Sequence, residues 1–116
     1  MPVAIKRIYS PFESTDGYRV LIDRLWPRGI KKEKANIDSW LKEIGPSTPL
    51  RKWFGHDPER WTSFRKKYQE ELKDNETLSE LRKIVKQHKK VTLLYGAKDE
   101  EHNHAVVLME LLGSKG

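Results

Sequence analysis

The chain contains no cysteine, which excludes thiolate metal sites, thiol nucleophiles and disulfide staples, and which is compatible with a reducing compartment. Long hydrophobic runs are also missing. The longest aliphatic stretch, Ala105 to Met109, falls far short of the roughly 20 residues that span a bilayer. The first residues, Met1 to Arg7, are followed at once by polar and turn residues and lack the apolar segment of a signal peptide, so a cytoplasmic location is expected and a membrane partner is not. No Walker-type glycine loop, dinucleotide fingerprint, serine nucleophile elbow or His-Glu-x-x-His pair occurs, which removes most support for the reactions those motifs carry. Repeats, linkers and low-complexity segments are absent too.

What is present is a strongly polar chain with enough core material to fold. Of 116 residues, 34% are charged, but eleven are aromatic, four of them Trp, and disordered segments lack such residues. One compact domain over residues 1–116 is the expected organisation, long enough to bury about two-thirds of its unfolded surface without staples. The net charge of +6 favours anionic partners: nucleic acid, nucleotides or phosphorylated metabolites. Solubility alone also explains such a charge.

Val3 to Tyr9 reads as a strand ended by Ser10-Pro11, and Tyr18 to Ile22 as a second strand after the turn signal Asp16-Gly17. Consecutive Val20, Leu21 and Ile22 imply that both faces of that strand are covered, as in the centre of an α/β sheet. Beyond the basic connector Lys31 to Lys34, the spacing of Ile37, Trp40, Leu41 and Ile44 predicts a short helix stopped by Gly45-Pro46. Ser47 is an N-cap for a second helix with Leu50, Trp53 and Phe54 inward and Gly55 past its end. Asp57-Pro58 opens a third, whose inward face is Trp61, Phe64, Tyr68 and Leu72, with Arg65, Lys66, Glu70 and Glu71 in water. Thr77-Leu78-Ser79-Glu80 has the form of a capping box for a fourth helix presenting Leu78, Leu81, Ile84, Val85 and His88. Val91 to Tyr95 is a third strand, and a last helix runs to about Leu112, leaving Ser114 to Gly116 to fray. The fold class is therefore α/β: a small, mainly parallel three-stranded sheet covered by about five helices. Strands two and three should be parallel, while strand one suits either orientation.

In such sheets ligands bind beyond the carboxyl ends of the strands. Three polar segments fall there: Asp23 to Gly29, Gly55 to Pro58, and Gly96 to His104. Asp23 can bind a metal, accept a proton, or simply hold Arg24. Arg28, between Pro27 and Gly29, sits on a stiff turn suited to bidentate recognition of phosphate or carboxylate, though exposed arginines are common. Trp26 is either a stacking platform or a core plug. Asp57 before Pro58 is explained by capping alone, whereas His56 is free to exchange protons near neutral pH. Asp99, His102, Asn103 and His104 open the last helix; if residues 102–104 are already helical, the two histidines diverge by about 200° and cannot share one metal. A divalent metal held by Asp99 and one histidine is an alternative to the expected absence of a cofactor.

Three stretches together, Asp16 to Gly29, Leu50 to Pro58, and Val91 to Tyr95 through His102 to Ala105, resemble the YeaO-like family of small bacterial and archaeal domains of unknown function. The resemblance covers nearly the whole chain and implies an α/β fold with a site at these segments. That family is in turn similar to a broader group carrying Asp-x-Arg after one strand and Cys-His-Arg near its last helix. Here Asp23 and Arg24 are adjacent and cysteine is absent, so a thiol-dependent role does not carry over.

The residues thus predict a pocket for a small phosphate- or carboxylate-bearing ligand. In it Arg24, Arg28, Trp26 and Asn103 bind, and His56, Asp23, Asp99, His102 and His104 supply acid-base chemistry for hydrolysis or transfer. The alternative is a nucleic-acid-binding or regulatory module without catalysis, motivated by the basic connector and by Arg82, Lys83, Lys86, Lys89 and Lys90. A third is a Trp-rich surface that makes homo-oligomers.

Overall fold

The computed structural model describes residues 3–113, so Met1, Pro2 and the expected fraying of Ser114 to Gly116 lie outside the described residues. Its framework is a four-stranded sheet in the order β1-β4-β2-β3, with β1 Val3–Arg7, β2 Tyr18–Leu21, β3 Ser39–Trp40 and β4 Val91–Tyr95. Every pairing is parallel, including that of β1, whose orientation the sequence leaves open. All carboxyl ends therefore meet at one edge. β4 lies between β1 and β2 with all five residues buried, as its unbroken Val-Thr-Leu-Leu-Tyr run requires. The Thr92 hydroxyl in this buried strand donates to the Asp16 carbonyl at 2.7 Å, so it is not left unpaired.

Alternate residues of the strands feed two cores. Val20, Leu93 and Tyr95, with Ile22 just past β2, face a large cluster built with the helices, while Leu21 and Leu94 face a smaller one with Ile8, Trp26, Ile37 and Trp40. Five α-helices complete the fold: α1 Lys32–Ala35, α2 Thr48–Phe54, α3 Trp61–Lys73, α4 Glu76–Gln87 and α5 His104–Gly113. Along α3, Phe64, Tyr68 and Leu72 are buried and Trp61 half-buried, the expected stripe. Ser47 caps α2 by accepting from the Leu50 amide at 3.3 Å, and Gly55 ends it in the left-handed region. Asp57 caps a short 3-10 turn, Pro58–Arg60, that leads into α3.

Five expectations are corrected. The additional strand β3 and a 3-10 turn, Lys42–Ile44, replace the helix expected over Ile37 to Ile44, and the first helix lies earlier, starting within the basic connector. α4 is capped not by Thr77 but by Asn75, whose side chain accepts from the Thr77 amide at 2.8 Å. His88 is not on the α4 face: it follows the helix in extended conformation and stacks on Tyr18, ring centroids 4.0 Å apart. Trp53 points outward, its ring beneath Arg60 and Lys67. Glu71 is half-buried, because its carboxylate accepts from the Ser47 amide at 2.9 Å and so ties α3 to the start of α2.

Candidate functional site

β2 delivers Asp23 to the carboxyl edge of the sheet, where the chain turns sharply. Gly29, at φ 78°, takes a conformation that strains other residues, and the turn is pinned from within by the Trp26 indole, which donates to the Ile30 carbonyl at 2.7 Å. Trp40 donates in the same way to the Asp23 carbonyl at 2.7 Å. Arg24 does not pair with Asp23. Its Nε donates instead to the Gly45 and Pro46 carbonyls at 3.1 and 2.8 Å, where the 3-10 turn after β3 ends. This removes the explanation of Asp23 as the partner of its neighbouring arginine.

The Asp23 carboxylate looks across the edge towards β4 and α5. One oxygen accepts from the Gly96 amide at 2.8 Å; a methyl group at Gly96 would stand 3.0 Å from it, so this close approach suits glycine. The other oxygen, buried, lies 3.2 Å from His104 Nε2 and has no well-aligned hydrogen bond. His104 Nε2 is also 3.0 Å from the Ile22 carbonyl, which can only accept, so this nitrogen carries the proton. Asp23 and His104 thus form a half-buried pair joining the end of β2 to the first residue of α5. Tyr68 backs it, its ring edge-on to His104 at 6.2 Å and its hydroxyl donating to the Ile44 carbonyl at 2.7 Å. Complete burial pushes that phenol well above its ordinary pKa, so it serves as a neutral donor.

α5 begins at His104, so residues 99–103 form a turn and the angular argument for the two histidines does not apply. Asp99 organises this turn: one carboxylate oxygen accepts from the Glu101 and His102 amides at 2.9 and 3.0 Å, and the other lies 2.9 Å from His102 Nδ1. The Glu101 amide, followed by the His102 ring and amide, holds the Asp99 carboxyl below its usual range. An ionised carboxylate only accepts, so Nδ1 carries the proton and a neutral His102 keeps Nε2 as a lone pair. Asn103 is buried and spends its amide on architecture, accepting from the Val106 amide at 3.1 Å and donating to the Asp99 carbonyl at 2.8 Å.

The third wall comes from α2. Its C-terminal Gly55 and the following His56 both take positive φ, 52° and 57°, which swings the His56 ring back over Phe54 at 6.1 Å and leaves its nitrogens without a partner among the described residues. Between the walls lies a cleft of about 530 Å³. Eight of the nine predicted site residues line it: Asp23, Arg24, Trp26, Arg28, His56, His102, Asn103 and His104. Asp99 does not, and acts on the cleft through His102. Trp26 lines it with a half-buried ring that also packs on Trp40 and Ile30 of the smaller core and carries the Lys32 ammonium over it at 5.6 Å, so it is in part a core plug.

Arg51 and Lys52 of α2 also line the cleft, and sequence reasoning missed them. Their position two turns or less before Gly55-His56 was the available signal. With Arg24 and Arg28 they set four permanent cations against one carboxylate, Asp23, among the lining side chains. Arg28, Arg51 and Lys52 have no carboxylate partner among the described residues, so the field in the cleft is open to an incoming anion. Among those residues no three His, Asp or Glu side chains are grouped to hold a metal ion, and no helix is long and apolar enough to cross a membrane.

The chain is similar to known proteins over nearly its whole length. Uncharacterized protein YeaO of Escherichia coli (strain K12) is 46% identical over 114 residues, 98% of this chain and 99% of the relative. Uncharacterized protein Rv3073c of Mycobacterium tuberculosis (strain ATCC 25618 / H37Rv) is 41% identical over 113 residues, 97% and 95% of the two chains. No solved structure matches. A family model described as the inactive DUF488-N3 subclade matches residues 2–115, and with identities this high over nearly the full length the chain belongs to that family, the one that includes YeaO.

Proposed function

We propose that the cleft binds a small anion, phosphate- or carboxylate-bearing, at the carboxyl edge of the sheet. The observation that carries this reading is the charge of the lining: Arg24, Arg28, Arg51 and Lys52 against Asp23 alone. Arg24 is committed to backbone carbonyls, so Arg28, Arg51 and Lys52 are the ligand-facing cations, and guanidinium groups suit the paired oxygens of phosphate and carboxylate. The description of the family as inactive, the lack of any cysteine nucleophile and the use of His104 and Asn103 as fastenings all favour binding over turnover. A cytoplasmic location, where anionic metabolites are abundant, fits the same reading.

Titration of the full chain with inorganic phosphate and with acetate, followed by calorimetry, tests the proposal. Binding of at least one, weakened about tenfold or more by Arg51→Ala or Arg28→Ala with folding intact, supports it, since hydrogen bonds to charged groups contribute roughly 1.5–3 kcal/mol. Affinity that ignores both substitutions would sink it. Binding of nucleic acid with a steep salt dependence, and none of the small anions, would instead favour the module without a small ligand.

One feature supports a second reading, acid-base catalysis on the bound anion. His102, oriented by Asp99 through Nδ1, in its neutral form presents Nε2 in the arrangement of a general base. Turnover of an anionic ester that His102→Gln abolishes while leaving affinity unchanged would establish it.

A further inference from the structure

We propose that the anion taken by the cleft carries an apolar body, an aryl or alkyl group joined to its phosphate or carboxylate head; the inference rests on the anion-binding reading above. Among the described residues, the exposed large hydrophobic side chains are Tyr9, Phe12, Leu25 and Trp53. Phe12 and Trp53 lie away from the cleft and have their ring faces covered by cations, Phe12 by Arg19 and Trp53 by Arg60 and Lys67, all at 5.2 Å. Tyr9 and Leu25 both line the cleft. Tyr9 also carries a cation, Arg7, over its ring at 5.1 Å and donates its hydroxyl to the Arg28 carbonyl at 3.0 Å, so its place on the lining, not a bare ring, sets it apart from Phe12 and Trp53. Exposed apolar side chains scattered singly need no explanation, but two on the lining of one cleft form a feature of that cleft.

Leu25 is the sharper case. It is 65% exposed and belongs to neither core cluster. Its neighbours hold it there: Arg24 is fastened to the Gly45 and Pro46 carbonyls and Trp26 to that of Ile30, so the leucine is presented to the cleft by a turn that does not need it for packing. Deeper in the same cleft, Phe54 and Phe64 contribute stacked rings 4.3 Å apart. A bare anion would satisfy the arginines and leave Leu25 and Tyr9 in water. An amphipathic anion covers both surfaces at once, and the volume of about 530 Å³ lies in the range of small-molecule sites.

Calorimetry of the full chain with phenyl phosphate, phenylacetate, inorganic phosphate and acetate decides the matter, and the two head groups are told apart by which pair binds. The aryl compound should bind about tenfold tighter than its bare head, the gain expected from burying roughly 55 Å² of apolar surface. Leu25→Ser, an exposed change that leaves the fold alone, should cut that advantage about threefold while bare-anion affinity stays the same. Equal affinity for aryl and bare anions overturns the inference and leaves the anion reading standing. An advantage untouched by Leu25→Ser overturns the assignment of the apolar contact to this turn. No binding by any of the four overturns both.

Discussion

Strand β2 has an aspartate just outside each end, and the two are used in opposite ways. At the amino end Asp16 is 5% exposed and saturated: Lys6 donates at 3.0 Å, the Glu13 amide at 3.1 Å, and Arg19 through a short contact between its guanidinium and the carboxylate. Arg19, itself 2% exposed, spends its remaining donors on the Asn36 and Ala35 carbonyls, and its amide donates to Asp38. At the carboxyl end Asp23 keeps one well-made hydrogen bond, to Gly96, and faces a cleft whose cations have no carboxylate partners. A buried carboxylate matched with cations and amides is a fastening; one set against surplus cations beside open space is what the proposed anion site would have. Both carry an Asp and an Arg within three residues of each other in sequence, so the difference lies in what the rest of the fold brings to each.

The strongest way to break this comparison is to open the closed end. Arg19→Met removes the guanidinium while keeping much of its volume, and it leaves the buried Asp16 with Lys6 as its one remaining cation and the Glu13 amide as its other donor. Breaking a buried pair in this way costs about 3–5 kcal/mol, a large share of the roughly 5–15 kcal/mol that holds a domain folded. Urea unfolding should show it as a lower midpoint with an unchanged slope; a loss below about 1 kcal/mol would mean that the Asp16 cluster is not a fastening.

Next in size is a pair of glycine substitutions, one at each end. Gly17 follows Asp16 at φ 71°, and a methyl there would sit 2.4 Å from the Lys90 carbonyl. Gly17→Ala therefore combines a strained backbone with a backbone clash, and a cost of about 2–3 kcal/mol is expected. Gly96→Ala meets the Asp23 carboxylate closely, at 3.0 Å, and the Tyr9 ring at an ordinary 3.9 Å, with no positive φ. It should cost less than half as much in thermal unfolding, yet weaken anion binding by moving Asp23. Equal costs would mean that the two ends are equally rigid.

How far the sequence reveals this asymmetry depends on the element. The run Val91 to Tyr95 could hardly be anything but a buried strand, and the helical stripe of Trp61, Phe64, Tyr68 and Leu72 is equally plain. The segment Ile37 to Ile44 misleads for a definable reason. Ile37 and Trp40 pack into the small core on one side of the sheet, while Leu41 and Ile44 join the large core on the other. Four apolar residues serving two layers through a strand and a turn happen to share the spacing of one helical face. Thr77-x-x-Glu80 has the form of a capping box, but Asn75 stands two residues earlier with a side chain that reaches the Thr77 amide first. At the site, the turn residues and histidines were legible because rigid turns after strands are where ligands bind. Arg51 and Lys52 were not, because a cation on a short helix reads as solvated until tertiary structure turns that helix toward the cleft.

A third test uses acid. Burial alone would raise the Asp16 pKa, but hydrogen bonds from Lys6, the Glu13 amide and Arg19 outweigh it and hold the carboxyl below its usual value. A group depressed in the folded state contributes stability that is present above its unfolded pKa, about 3.9, and is lost as pH falls through the lower folded value. Stability should therefore decline steadily below about pH 4. Asp99 is depressed too, by exposed contacts of the turn that solvent screens. Asp99→Asn is accordingly expected to keep most of the decline in urea midpoints measured across that range. If it removes most of it, the acid-sensitive fastening lies at the open end, and the contrast between the two aspartates is reversed.

The smallest effect on stability is expected where the effect on binding is greatest. The side chains of Arg28 and Arg51 have no hydrogen-bonding or ion-pair partner among the described residues, and Arg28 is exposed on its turn. Substituting either with Ala removes no internal bond and also relieves repulsion among the cations of the cleft. The expected change in unfolding free energy is within about 0.5 kcal/mol, with a small gain as plausible physically as a small loss. Arg24→Ala provides the control, since it strips the Gly45 and Pro46 carbonyls of their donor and should cost about 1–2 kcal/mol. Three arginines lining one cleft thus divide by whether the protein itself already uses them. A loss at Arg28 or Arg51 as large as that at Arg24 would show that the folded chain also depends on those side chains. The surplus of unpaired positive charge would then no longer point to a ligand.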